Sequence, residues 1–228
     1  MDEKETRIEG IKAYIEDLFG QEDQNLVMIK ENCQKAHLPM IHVPPHVGKL
    51  LNLILQLKKP TRVLEIGTLA GYSTIWMARA LPPGGKIFTI DSESHHLALA
   101  QEHAKLCGVE QKIVFIQGKA LDMLDQMILN KEEKFDLVFV DADKENYYHY
   151  LQRIKVLLND EAVILTDNLI PKWKPIGKPH PKDMMAKSIY AYNEALVQDP
   201  QLDSAMISTL VGEIPRIDGL GISIYRRN

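Results

Sequence analysis

The segment FDLVFVDADKENYY, residues 135–148, places two carboxylates and an ammonium directly after a run of apolar residues. The apolar run has the length and composition of a buried strand, and Asp141, Asp143 and Lys144 follow it. A second apolar segment, AVILTDN, ends in Asp167 and Asn168. Because the carboxyl ends of parallel strands meet at one edge of a sheet, we expect Asp141, Asp167 and Asn168 to lie close together.

Carboxylate and amide oxygens, without histidine or cysteine, form a hard ligand set that suits Mg²⁺, Mn²⁺ or Ca²⁺ better than Zn²⁺. We therefore predict that Asp141, Asp167 and Asn168 bind a divalent cation, with Mg²⁺ the first choice. Next to such a site, Lys144 could act as a general base. Two alternatives stay open here: Asp143 could cap the following helix, and Lys144 could be a solvated charge.

A glycine-containing turn, LEIGTLAGYS, follows an earlier short apolar strand. Gly67 and Gly71 permit a tight turn against which a ligand can lie, and the turn leads into a helix N-terminus that favours an anion. The dinucleotide pattern G-x-G-x-x-G would need a glycine at position 69, which is Leu69. Glu65 would repel a pyrophosphate but could bind the ammonium of a methionine moiety. The turn therefore argues against a Rossmann oxidoreductase.

Asp91 ends the next strand, 24 residues after Gly67. A carboxylate at this place can accept both hydroxyls of a ribose, although it could instead cap the next helix. Small residues at 118–120, GKA, come where an adenine could stack against the backbone. These features indicate a nucleoside-containing ligand.

Strand and helix patterns alternate from residue 60 to about residue 168, which specifies a parallel sheet with helices on both faces. Before them, the first forty residues and residues 46–57 have helical patterns, and one helical face carries Ile8, Ile11, Ile15, Leu18 and Phe19. After them, SAMISTLV and GLGISIYRR are two strands joined by GEIPRID, which predicts an antiparallel hairpin at the sheet edge. A parallel sheet that ends in such a hairpin resembles the methyltransferases that use S-adenosylmethionine, and by this analogy we predict an α/β, Rossmann-like methyltransferase fold with a mostly parallel seven-stranded sheet. We expect a single domain, 1–228, with a helical part at 1–58 and an α/β core at 60–228.

The bulk composition restricts the classes of partner. The chain has 228 residues and a net charge of −4, so no overall positive field recruits nucleic acid or an acidic membrane. The N-terminus has no apolar segment typical of a signal peptide, and no apolar run is long enough to span a membrane. Cys33 and Cys107 lack metal-type spacing and are interpreted as reduced thiols. We expect a cytoplasmic protein.

The motifs VLEIGTLAGYS, FVDADKENY and LTDN, in this order and spacing, resemble the catechol and caffeoyl-CoA O-methyltransferase family over about residues 35–228. The resemblance implies cation-dependent transfer of a methyl group from S-adenosylmethionine to a hydroxyl of a catechol-like aromatic small molecule, and it implies a homodimer. Lys144 would be the base, and Asp141 would touch both the metal and the acceptor. The residues that would hold S-adenosylmethionine are Val43, Glu65, Gly67, Thr68, Tyr72, Ser73, Asp91, Ser92, Ala120, Asp141 and Asp143. An acceptor without a catechol, such as a hydroxamate or a simple phenol, stays open, as does a non-catalytic protein on the same fold.

Two segments depart from the family pattern. His42 and His46 flank the approach to the helix at 46–57; both are interpreted as surface residues rather than metal ligands, and His42 is also a candidate for contact with the acceptor. The segment from Pro171 to Lys182 contains four Pro and four Lys. We expect it to form part of the substrate wall, where its charge would favour an acidic acceptor and Trp173 could stack on the aromatic ring. The alternative is a solvated lid without a role in recognition.

Overall fold

The computed structural model describes residues 3–171, 177–212 and 215–227 of the chain. Eight α-helices and seven strands occur within these ranges. The helices are α1 (Glu3–Phe19), α2 (Gln24–Lys35), α3 (Pro45–Lys58), α4 (Tyr72–Ala80), α5 (Ser94–Leu106), α6 (Ala120–Leu129), α7 (Tyr147–Ile154) and α8 (Met184–Gln198). The strands are β1 (Arg62–Ile66), β2 (Lys86–Asp91), β3 (Ile113–Gln117), β4 (Phe135–Val140), β5 (Leu158–Thr166), β6 (Leu202–Val211) and β7 (Arg216–Tyr225).

All seven strands form one sheet in the order β3-β2-β1-β4-β5-β7-β6. The first five strands are parallel, whereas β7 pairs antiparallel with both β5 and β6. The predicted α/β class, with its seven-stranded sheet and C-terminal antiparallel hairpin, is confirmed. The strand order reverses between β1 and β4, and in such sheets ligands bind at the carboxyl ends of the strands on either side of that reversal.

The core lies on both faces of the sheet, because alternate residues of each strand point to opposite sides. Val63, Leu137 and Phe139 pack with α2, α3, α4 and part of α5. Leu64 and Val138 pack on the other side with α6, α7 and α8. With helices on both faces, the carboxyl-end edge of the sheet is where polar side chains can gather.

One expectation about the outer elements needs correction. The strand β7 begins at Arg216, inside the segment that we expected to be a linker, because residues 216–218 continue the ladder opposite Val211, Leu210 and Thr209. The apolar face of α1 is partly exposed on the single chain: Ile11 is 43% exposed, Leu18 53% and Phe19 64%, whereas Ile8 and Ile15 are half-buried.

Among the described residues, no helix has both the length and the hydropathy needed to cross a membrane.

Candidate active site

A cavity of about 1900 Å³ opens at the carboxyl ends of β1, β2, β4 and β5. This volume exceeds the usual range for one drug-sized ligand, so it can hold a cofactor and an acceptor together. Its walls include ten of the eleven residues predicted to hold the cofactor, namely Val43, Gly67, Thr68, Tyr72, Ser73, Asp91, Ser92, Ala120, Asp141 and Asp143. Lys144, Asp167, Asn168 and His42 also line it.

The turn after β1 packs directly against the segment after β4. Gly67 has a φ of 103°, and a Cβ atom there would lie 2.1 Å from the carbonyl oxygen of Asp141. Only glycine permits both this conformation and this approach. The turn continues through Leu69, with a φ of 46°, to Gly71, which is the N-cap of α4. A positive φ at leucine is strained, and such strain is concentrated at ligand-binding turns.

Asp91 holds this turn from the neighbouring strand. Its Oδ2 accepts hydrogen bonds from the backbone N–H of Thr68, at 3.2 Å, and of Leu69, at 2.8 Å. Its Oδ1 accepts the N–H of Glu93 and lies 3.1 Å from Nδ1 of His96. The N-cap of α5 is Glu93, so Asp91 does not occupy the capping position that was its alternative interpretation.

Glu65 lies behind the cavity wall and is fully buried. Its carboxylate accepts hydrogen bonds from the hydroxyls of Ser73 at 2.6 Å, Thr74 at 2.5 Å and Thr89 at 2.7 Å. Burial raises the pKa of Glu65 to about 7, and the three hydroxyl donors hold it from rising further. Glu65 therefore links the elements behind the turn through hydrogen bonds and does not line the cavity.

His103 connects the same turn to the N-terminal helices. Its Nδ1 lies 2.8 Å from the carbonyl oxygen of Ala70, and its Nε2 lies 3.1 Å from Nδ2 of Asn32 in α2. A carbonyl can only accept and an amide nitrogen can only donate, so the ring carries its proton on Nδ1 and accepts at Nε2. The sequence offered one signal, a histidine on the apolar side of a helix, and our sequence reasoning missed it.

The segment after β4 brings the predicted base to the predicted metal ligands. Nζ of Lys144 donates to Oδ1 of Asp141 at 2.8 Å and lies 5.3 Å from the centre of the Tyr147 ring. Asp143 turns away from this pair and accepts from the Tyr150 hydroxyl and the Asn146 amide. Asp143 occupies the N-cap position of the following 3-10 turn, as its alternative interpretation predicts, but its side chain makes no capping bond to the backbone.

Asp167 is 2% exposed, and its Oδ1 has no hydrogen-bond partner. Burial and the neighbouring carboxylates of Asp141 and Asp218 raise the pKa of Asp167 to about 8. Buried oxygens normally have a partner, so this one is a position where a cation fits. No group of three or more His, Cys, Asp or Glu side chains in the described ranges is arranged to hold a metal ion. The set predicted here has only two such residues, because its third member is an asparagine.

Asn168 follows Asp167 with a φ of 61°, a conformation that asparagine tolerates better than most residues. Its Nδ2 donates to Oδ2 of Asp218 at 3.0 Å and lies 3.3 Å from Oδ2 of Asp167. Asp218 is completely buried and also binds Nη1 of Arg216 at 2.7 Å. The sequence reasoning missed Asp218 and Arg216, because it placed both in a linker.

Two further predictions concern the mouth of the cavity. The interpretation of His42 and His46 as surface residues is wrong: both are half-buried, each with a buried Nδ1 that lacks a hydrogen-bond partner, and burial lowers both pKa values. The His42 ring lies 5.2 Å from that of Tyr72. Trp173 lies outside the described residues.

Known proteins match this chain over nearly all of its length. The family model described as O-methyltransferase matches residues 17–214. A catechol O-methyltransferase from Niastella koreensis is 34% identical over 218 residues, covering 96% of this chain and 97% of the relative. A catechol O-methyltransferase from Mycobacterium tuberculosis is 33% identical and covers 95% of each chain.

Solved structures agree with the sequence matches. An O-methyltransferase from Bacillus cereus in complex with SAH superposes with a TM-score of 0.89 at 31% identity, covering 96% of this chain and all of that one. An O-methyltransferase from Streptomyces achromogenes involved in tomaymycin synthesis, in complex with SAM, gives a TM-score of 0.88 at 31% identity over the full length of both. The fold is thus the Rossmann-like one expected from the sequence, and this chain belongs to the O-methyltransferase family, whose members are enzymes that use S-adenosylmethionine.

Proposed function

We propose that this enzyme methylates a hydroxyl of a catechol-like aromatic small molecule and that the reaction depends on a divalent cation. The observation that carries the proposal is the buried, unpartnered Oδ1 of Asp167 beside the carboxylate of Asp141. Asp141, Asp167 and the amide oxygen of Asn168 would hold the cation, with Mg²⁺ favoured by the hard ligand set. The bound cation would polarise the acceptor hydroxyls and lower their pKa.

Different parts of the cavity lining would bind the different parts of the cofactor. The turn at Gly67 and Thr68, with Val43 on the facing segment, would hold the methionine moiety, and Asp91 would bind the ribose. Ser92 and Ala120 border the expected adenine position, and Tyr72, Ser73, Asp141 and Asp143 complete the lining. Glu65 would act indirectly, because its oxygens are already bound by three hydroxyls.

Lys144 would remove the proton from the acceptor hydroxyl. Its Nζ is held 2.8 Å from Oδ1 of Asp141, beside the carboxylate that would contact both cation and acceptor. In its neutral amine form Lys144 would take the proton and become the ammonium. After losing its proton to Lys144, the acceptor oxygen would attack the methyl carbon of the sulfonium in line. A carbon–oxygen bond would form as the carbon–sulfur bond breaks, with S-adenosylhomocysteine as the second product. Alignment of the two reactants would supply much of the acceleration.

The test uses methyl-labelled S-adenosylmethionine and 3,4-dihydroxybenzoate, once with Mg²⁺ and once with EDTA. Transfer that EDTA abolishes supports the proposal, whereas transfer unaffected by EDTA contradicts the role of the cation. Lys144→Met should lower kcat by at least about 100-fold, in line with general-base contributions. Lys105→Met, at an exposed position of α5, is the matched control and should leave kcat unchanged.

A non-catechol acceptor is the second candidate. The volume of the cavity does not distinguish a catechol from another small acceptor, since either would fit together with the cofactor. Transfer to a simple phenol or hydroxamate at a rate equal to that for catechols would replace the vicinal-diol part of the proposal.

We also propose a homodimer in which α1 takes part, because the apolar side chains of Ile11, Leu18 and Phe19 are exposed on the single chain. Sedimentation at micromolar concentration should give twice the monomer mass. Leu18→Glu should shift the protein toward monomer, and an unchanged mass would remove α1 from the interface.

A further inference from the structure

The guanidinium of Arg216 lies on the wall of the cavity, within two hydrogen bonds of a predicted metal ligand. Its Nη1 contacts Oδ2 of Asp218 at 2.7 Å, and the same oxygen accepts from Nδ2 of Asn168 at 3.0 Å. Arg216 and Asp218 are two residues apart on β7, so their side chains leave the strand on the same face. Arg216 is the one arginine that the described residues contribute to the lining of the cavity.

Asp218 fixes the guanidinium without using all of its donors. The Oδ1 atom of Asp218 accepts the backbone N–H of Ile170 at 3.1 Å and of Gly219 at 2.8 Å, and Oδ2 accepts from Asn168 and Arg216. Four donors therefore occupy the four acceptor positions of this carboxylate. A guanidinium has five N–H donors in a planar fork, so Arg216 keeps further donors for a ligand in the cavity.

The charges nearby make this place suitable for an anion. Lys144 is already paired with Asp141, and the acidic groups around it are Asp141, Asp167 and Asp218. With a divalent cation bound and Asp167 ionised, the three carboxylates, Lys144, Arg216 and the cation would together carry a net charge of +1. A negatively charged group on the acceptor would then be attracted, and the immobilised fork of Arg216 would set its direction.

We propose that Arg216 binds a carboxylate on the aromatic acceptor, so that the enzyme prefers dihydroxybenzoate-type or dihydroxycinnamate-type acids over neutral catechols. This inference rests on the proposed function and specifies its substrate class. It is independent of the Pro/Lys segment after Asn168, because Arg216 lies on β7 and is held by a buried partner. The guanidinium would bind the carboxylate at one end of the acceptor, while the hydroxyls at the other end face Asp141 and Lys144.

The test compares 3,4-dihydroxybenzoate with its methyl ester, which keeps the diol and loses the charge. In wild type and in Arg216→Gln, kcat/KM is measured for both acceptors with Mg²⁺ present. The variant should lose about 10- to 100-fold for the acid, the range expected for a charge-assisted hydrogen bond, and less than about 3-fold for the ester. Arg216→Lys should recover part of the loss. Arg226→Gln, an exposed arginine, is the matched control.

Two kinetic outcomes overturn the inference. Equal losses for acid and ester would mean that Arg216 acts only by holding Asp218 and Asn168, and no loss for either would mean that it contacts no acceptor. Titration calorimetry of both acceptors, in the presence of S-adenosylhomocysteine and Mg²⁺, distinguishes failure of this inference from failure of the proposed reaction. Binding of the acid that Arg216→Gln weakens selectively supports the anchor even when no methyl group is transferred. Absence of binding of the acid to wild type contradicts it.

Discussion

Substitution of Asp167 tests the proposed cation site most directly, because the folded protein without metal disfavours the ionised form of this side chain. The ordinary pKa of an aspartate is 3.8, and in the folded chain burial and two neighbouring carboxylates raise it to about 8. Folding at pH 7 therefore requires uptake of a proton. In the variant Asp167→Asn the side chain keeps its shape and needs no proton.

The sign follows from the direction of the shift. A raised pKa in the folded state means that the contribution of Asp167 is fully present below its unfolded pKa and is lost as the pH rises toward 8. Between the unfolded pKa and pH 7 there are about three units, and at 1.36 kcal/mol per unit the loss is at most roughly 4 kcal/mol. Because neighbouring acidic groups influence the ionisation of Asp167, about 2 kcal/mol is the smallest loss of stability that we expect.

The assay is urea unfolding in EDTA at intervals from pH 4 to pH 8. Relative to wild type, Asp167→Asn should gain stability steadily across this range, by about 2–4 kcal/mol at pH 7. Addition of millimolar Mg²⁺ should then raise the melting temperature of wild type and leave that of the variant unchanged. Asp125→Asn, at an exposed aspartate paired with Arg153, is the control. Parallel pH profiles, or equal responses to Mg²⁺, would refute the assignment of Asp167.

Three further variants test the turn after β1 and two residues that support it. Glu65→Gln should remove a pH dependence in which wild type loses up to about 3 kcal/mol from pH 4.5 to pH 7, since the folded pKa is about 7; unfolding curves that stay parallel would contradict this. Gly67→Ala should destabilise the protein by at least about 2 kcal/mol in thermal unfolding, because the added Cβ meets the carbonyl of Asp141, and wild-type stability would disprove the close contact. His103→Phe should weaken binding of S-adenosylhomocysteine roughly 5- to 10-fold in calorimetry while leaving kcat at saturation within about 2-fold, and equal loss of both would mean a general defect in packing.

The parts of the fold that local sequence determines were predictable. Apolar runs with turn residues between them gave the alternating strands and helices of the central region, and the absence of a helical pattern near residue 210 indicated the hairpin. The position of Asp141, Asp167 and Asn168 at one edge followed from the topology of a parallel sheet. The residues predicted to hold cofactor and cation stay predictions.

Contacts between distant segments could not be predicted in the same way. The sequence predicts Glu65 in the cavity, but three hydroxyls from α4 and β2 donate hydrogen bonds to its carboxylate. No local sequence pattern predicts these three donors. Arg216 and Asp218 were assigned to a linker because proline and glycine precede them, whereas pairing with β6 extends the strand through both. His103 depends on partners 33 and 71 residues away in sequence.

The contact between Gly67 and the carbonyl of Asp141 has a consequence for how this enzyme can diversify. In the proposed reaction, the methyl donor and the acceptor would be bound by segments that meet through main-chain atoms of adjacent strands, so substitutions elsewhere would change the distance between donor and acceptor very little. Under the proposed function, substitutions on β7 and in the segment that follows Asn168 would instead change which acceptor is bound. The residues proposed for methyl transfer and the residues proposed for acceptor selection would therefore be encoded in different stretches of the gene.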